Sequence, residues 1–209
     1  MRWRAVFSPA AAAIALIALS AQPAQAQTTA RSGPTGTTAP AANRQADPFA
    51  RNAMGIEIAG GVLTEAWNFN SNYEWIGEGT FSVNWSYRDG QTLVVEFHAA
   101  GINQSEPRNA FLNAIVPNVR FRVWSHERWT MFVEFGAGAS WSDTTTPPRG
   151  TRFNFLLMAN TGFMYRLTPQ IQAVAGARLL HLSNASLMGR NRNPDIEALG
   201  GTFGIYFGF

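Results

Sequence analysis

Hydrophobic and polar residues alternate with a period of two along most of the chain after residue 48. In Arg152–Leu167 the odd positions are Phe153, Phe155, Leu157, Ala159, Thr161, Phe163, Tyr165 and Leu167. The even positions hold Arg152, Asn154, Asn160, Gly162 and Arg166 among two methionines and a leucine. Successive side chains of a strand point to opposite faces, so this segment reads as a strand with one aromatic face and one polar face. The same split recurs at 54–62, 79–87, 93–99, 119–124, 131–141, 171–183 and 199–209. The pattern predicts eight strands.

The polar face distinguishes this chain from a soluble sandwich, whose outer face is usually rich in charge. Here it carries Gly, Ser and Asn with charges of both signs: Glu57, Glu96 and Glu134 against Arg120, Arg122, Arg166 and Arg178. Small residues relieve crowding inside a narrow barrel, and acids and arginines satisfy one another away from water. The apolar face is then left for lipid. Backbone groups in lipid require a closed sheet, and eight is an even number of strands. The predicted fold is therefore all-β, an eight-stranded antiparallel transmembrane β-barrel of the outer membrane.

Connection lengths agree. Tight links at 88–90, 125–127 and 168–169 alternate with longer polar ones near 65–76, 103–117, 143–151 and 184–198. Short turns on one rim and long loops on the other match an outer-membrane barrel with both chain ends on the periplasmic side. Trp67, Trp75, Trp85, Tyr87, Trp129, Trp141 and Tyr165 fall near strand ends, as interfacial girdles do.

The amino-terminal residues read differently. Arg2 and Arg4 precede an uncharged run to Ala21, and Ala24-Gln25-Ala26 forms a small-x-small cleavage pattern. Residues 1–26 are expected to be a secretory signal peptide. Residues 27–47 are rich in Thr, Ala, Pro and Gly, too poor in apolar side chains to fold, and are expected to be a disordered linker. The barrel domain then spans 48–209.

Composition narrows the function. The 209 residues include no cysteine, and all 16 basic residues are arginine. Thiol nucleophiles and disulfides are excluded. Without residues 1–26 the chain has 14 basic and 13 acidic residues, a balance that argues against a nucleic-acid partner.

One strand departs from the pattern. His181 and Ser183 occupy the otherwise apolar odd face of 171–183, side by side, at the long-loop end. Either the strand has already left the hydrocarbon there, or Ser183 is a nucleophile with His181 as its general base. Asn184 follows directly and the amides of Ala185 and Ser186 lie just beyond, candidate donors to an oxyanion. Asp195 and Glu197 precede the last strand, and Glu197 shares parity with lipid-facing Leu199, so it can reach His181 from the next strand.

The run His181-Leu182-Ser183-Asn184-Ala185-Ser186, with Asn193-Pro194-Asp195-Ile196-Glu197 and a final strand ending in Phe, resembles the lipid A 3-O-deacylase family. The resemblance implies an outer-membrane esterase that removes an acyl chain from lipopolysaccharide. It implies catalytic roles for His181, Ser183 and Glu197, and an oxyanion hole at Asn184, Ala185 and Ser186. The family tends to have Gly where this chain has Ser186. No cofactor or metal is needed, and the partners expected are lipid A and the surrounding outer-membrane lipid. Self-association is left open. Loop arginines Arg108, Arg149, Arg190 and Arg192 are candidates for the phosphates of lipid A. The rival readings are a non-catalytic structural or adhesive barrel, a pore, and a lipid A acyltransferase. His98, alternating with Glu96, is expected to be a hydrogen-bonded lumen residue and His126 to lie in a tight turn, and neither has ligand-like neighbours at metal spacing.

Overall fold

A computed structural model describes residues 47–66, 74–104, 107–189 and 192–209. The expected signal peptide and all of the linker except Asp47 lie outside the described residues, as do Trp67 and Arg190. The strands are β1 (Met54–Glu65), β2 (Trp75–Arg88), β3 (Gln91–Asn103), β4 (Ala110–His126), β5 (Trp129–Thr146), β6 (Thr151–Arg166), β7 (Ile171–Ser183) and β8 (Ile196–Gly208). Each pairs antiparallel with the next, and β8 pairs with β1, so the sheet closes.

The register fixes the shape. From Ser183 the paired positions run through Phe155, Ala139, Ile115, Phe97, Phe81, Ile58 and Ile205. The row returns to β7 at Ala173, ten residues from its start. A shear of ten across eight strands tilts them by about 40°. The row therefore descends round the outer wall from the long-loop rim to the short-turn rim.

The outer wall is apolar as expected, with Ile58, Phe81, Phe97, Ile115, Leu157 and Phe203 all exposed. The interior has three layers. Toward the long loops it is apolar, built from side chains such as Leu63, Ile102, Leu112, Leu156, Leu180 and Ile196. Toward the short turns Phe49, Phe132, Met164, Val174 and Tyr206 form a second apolar layer. Charge is concentrated between them. Arg120 reaches Glu134 at 2.6 Å and Glu57 at 2.8 Å, and Arg178 reaches Glu78 at 2.9 Å and Glu96 at 2.8 Å. Asn160 joins the two clusters, donating to Glu134 Oε1 at 2.6 Å and accepting from Arg178 Nε at 2.9 Å. His98 lies 3.1 Å from Glu78 and 3.4 Å from Glu96, which makes it the lumen residue expected. Inward glycines make room: a Cβ on Gly136 would sit 1.7 Å from Asn118 Oδ1.

Several expectations need correction. The long link at 103–117 is largely strand, since β4 begins at Ala110. Its inward residues Leu112, Ala114 and Val116 belong to the upper apolar layer, so the two faces of that segment do not differ in polarity. Arg122 and Arg166, expected among the lumen charges, do not join the central network, and neither does Arg152. Arg122 binds Asp47 at 2.6 Å, Arg152 stacks on Trp141 and donates to the Ser142 carbonyl, and Arg166 donates to the Glu127 carbonyl. All three stand at strand ends, where partners other than lumen acids are in reach. A register shift between Arg122 and Trp124 leaves both Val123 and Trp124 exposed, as a bulge does.

At the long-loop mouth, Glu65 and Glu74 are both buried, with the Glu65 carboxyl beside Glu74. Burial, reinforced by the Glu65 carboxyl, pushes Glu74 up to about 8 from its usual 4.5. The folded protein thus keeps a proton that the unfolded chain releases. Stability should fall as pH rises from about 4.5 to about 8 and then level off. Thermal melts of Glu74→Gln in detergent should show a shallower decline over that window. Removing Arg178 strands two buried acids, so Arg178→Leu should cost roughly 3–5 kcal/mol, read as an earlier loss of the compact band on heating before electrophoresis.

Candidate active site on the outer wall

The site is made where β7 ends and β8 begins. Antiparallel pairing sets His181 directly opposite Glu197, on the outward face of both strands. Ser183, two residues on, shares that face. His181 Nε2 lies 3.0 Å from Ser183 Oγ, and His181 Nδ1 lies 3.5 Å from Glu197 Oε1. An imidazole with a hydroxyl at one nitrogen and a carboxylate at the other can take a proton from the first while the second holds its tautomer. Asp195 also offers an oxygen close to His181 and Glu197. Ser183 is only 9% exposed and Glu197 5%, whereas Leu199 further along β8 is 45% exposed. The two polar groups are therefore sheltered at the outer wall.

The turn after Ser183 is unusual. The Leu187 N–H donates to the Asn184 carbonyl at 3.1 Å, with Ala185 (φ 52°) and Ser186 (φ 61°) at the centre. Both are left-handed, the geometry of a type I′ turn, which favours Asn and Gly. Non-glycine residues there carry strain of about 1–3 kcal/mol each. This explains physically why a glycine would suit position 186. No protein acceptor is found for the Ala185 and Ser186 N–H groups among the described residues.

Asn184 is placed otherwise than its expected role requires. It is buried, with its Nδ2 donating to Thr151 Oγ1 at 3.0 Å and to the Arg192 carbonyl, and its N–H donating to Asn193 Oδ1 at 2.9 Å. Its amide donors tie the loop together rather than point toward Ser183. Among the expected donors, the main chain at 185–186 alone remains open. Of the loop arginines, Arg108 binds Asp143 at 3.0 Å, while Arg149 and Arg192 are exposed. Of the two residues that hold Asn184, Asn193 stands in the run 193–197 without any signal of this role, and Thr151 carries no sequence signal at all.

A shallow groove of about 840 Å³ crosses the outer wall. Its floor is Gly79, Ala99, Asn113 and Ala139, and Phe153 and Trp141 stand at one end. Ala139 pairs with Phe155, which pairs with Ser183. The floor of the groove thus begins two strands from the serine and descends away from it.

A closed eight-stranded barrel with a lipid-facing wall and this polar cluster at its rim defines an outer-membrane β-barrel protein. The model of the family described as lipid A 3-O-deacylase (PagL) matches residues 60–206, and the chain belongs to that family. It is accordingly a lipid A deacylase of the outer membrane. The crystal structure of the outer membrane enzyme PagL shares 17% identity, with a TM-score of 0.51, covering 72% of this chain and 97% of that one. Neisserial surface protein A shares 12% at a TM-score of 0.53, covering 75% and 96%. OprG of Pseudomonas aeruginosa shares 10% at a TM-score of 0.50, covering 78% and 99%. At these identities the likeness is one of fold. No curated protein sequence matches the chain.

Because the turn is strained at a non-glycine residue, Ser186→Gly should stabilise the barrel by up to about 1 kcal/mol. The check is a melting curve in detergent; a lower melting temperature would contradict the turn geometry.

Proposed function

We propose that the protein hydrolyses the 3-O-linked acyl ester of lipid A by a Ser183–His181–Glu197 mechanism on the lipid-facing wall. The observation that carries the reading is the 3.0 Å approach of His181 Nε2 to Ser183 Oγ, with Glu197 3.5 Å from the other nitrogen. Ser183 Oγ attacks the ester carbonyl carbon as its proton passes to His181 Nε2. Glu197 stabilises the imidazolium. The N–H groups of Ala185 and Ser186 face the developing oxyanion, a role for which strained, open amides are suited. The tetrahedral intermediate collapses, and the departing sugar oxygen takes the proton back from His181. A water molecule, deprotonated by His181, then attacks the acyl-enzyme, and His181 returns that proton to Ser183 Oγ as the 3-hydroxy fatty acid is released.

Placement favours a membrane substrate. The acyl chain already lies in the solvent that bathes the outer wall, so the ester reaches the serine by lateral movement. The row from Ser183 over Phe155 to Ala139 offers the chain a descending path into the groove. Arg149 and Arg192, both exposed on the long-loop side, would meet the phosphates of lipid A. Residues 1–26 would serve as the export signal, and 48–209 as the catalytic barrel.

Ser183→Ala should lower 3-position acyl release at least ~10³-fold, with the barrel still folded by its heat-dependent gel shift. Mass spectrometry of lipid A from cells making each form is the measurement. Unchanged release would remove Ser183 from the mechanism, and unchanged lipid A with the wild-type protein would favour a non-catalytic barrel. Glu197→Gln should cost roughly 10²–10⁴-fold, far more than Asp195→Asn; the reverse order would make Asp195 the acid.

A further inference from the structure

The second carboxylate beside the imidazole is more than an acid–base pair requires. Nδ1 or Nε2 of His181 and one oxygen each from Asp195 and Glu197 all lie within 4.8 Å of one another. We infer that His181, Asp195 and Glu197 form a transition-metal site that takes Zn²⁺ and, when filled, switches the enzyme off.

The ligand set selects the ion. One imidazole nitrogen and two carboxylate oxygens suit Zn²⁺, whereas Mg²⁺ and Ca²⁺ are bound through oxygen alone. Zinc with ligands at about 2.0–2.2 Å needs them roughly 3.3–3.6 Å apart in a tetrahedron. His181 Nδ1 and Glu197 Oε1 already stand 3.5 Å apart. Both are held by the β7–β8 register, which leaves only the Asp195 side chain to close in. Asp195 precedes β8 by one residue, with the outward parity of Glu197. Water would complete the fourth position.

The consequence for catalysis follows from proton bookkeeping. A neutral imidazole carries one proton. Once the metal holds the Nδ1 lone pair, that proton sits on Nε2, which faces Ser183 Oγ at 3.0 Å. Nε2 then donates to the serine and cannot accept from it. The same ion removes Glu197 from the imidazole. The inhibitory half of the inference rests on the proposed triad; the binding half does not.

The test uses the full barrel in detergent micelles. Calorimetric titration of Zn²⁺ into Ser183→Ala should reveal a site that Mg²⁺ does not fill. Adding Asp195→Asn or His181→Asn on that background should weaken it roughly tenfold or more. In the wild-type protein, Zn²⁺ should abolish ester hydrolysis, and a chelator should restore it. Asp195→Asn, active in metal-free buffer, should need roughly tenfold more Zn²⁺ for the same loss. No binding, or binding indifferent to both substitutions, would overturn the site. Binding that leaves hydrolysis intact would overturn the switch. Failure of the triad itself would appear separately, as hydrolysis by Ser183→Ala without any metal.

Discussion

The structure depends on one constraint: in lipid, every strand must find a hydrogen-bonding partner on both sides, so the sheet has to close. Closure fixes the register of all eight pairs at once, because a slip in one must be absorbed round the ring. The β7–β8 register sets His181 opposite Glu197 and leaves Ser183 one pleat further out. A slip of one residue would send the histidine and the acid to opposite faces of the sheet. The geometry of the candidate site is thus a by-product of the rule that holds the barrel together.

The interior meets the same solvent problem in another way. Glu57, Arg120, Glu134, Asn160, Arg178, Glu78, Glu96 and His98 make one connected polar seam between two apolar layers. Buried charges are costly unless every partner is present. Gathering them in one seam lets each arginine meet two acids, and lets the upper half of the lumen be packed with aliphatic side chains behind the site. The wall that carries His181 and Ser183 is consequently backed by Leu180, Leu182 and Ile196. A rigid apolar backing holds the dyad in place, with its open side to the membrane.

The site occupies the boundary between two solvents. Ser183 and Glu197 are sheltered, while the following turn carries consecutive left-handed residues and open amides. Strain at such a place is retained when the surroundings over-determine it, and here Asn184 does so through Thr151, Arg192 and Asn193. The asparagine that follows the serine therefore works as a clamp on the loop.

How much was legible depended on contrast between neighbouring residues. Period-two polarity alone revealed eight strands, the lipid-facing wall, and the dyad at spacing two, because alternation is a local property of the chain. The first half of β4 escaped, since Leu112, Ala114 and Val116 face an apolar part of the lumen and erase the contrast. Trp124 escaped because a bulge changes parity without leaving a mark in composition. Glu197 could be matched to His181 by parity, but which donors of Asn184 are already engaged is decided by Thr151 and Arg192, 33 and 8 residues away. Outside the first half of β4 and the bulge at Trp124, the primary structure by itself determined what each strand shows to lipid and to lumen, as that needs only the geometry of an extended backbone. Which lumen charges meet, where the rim arginines turn and how the loop after Ser183 is clamped were decided only by closure, which alone brings distant residues within bonding distance.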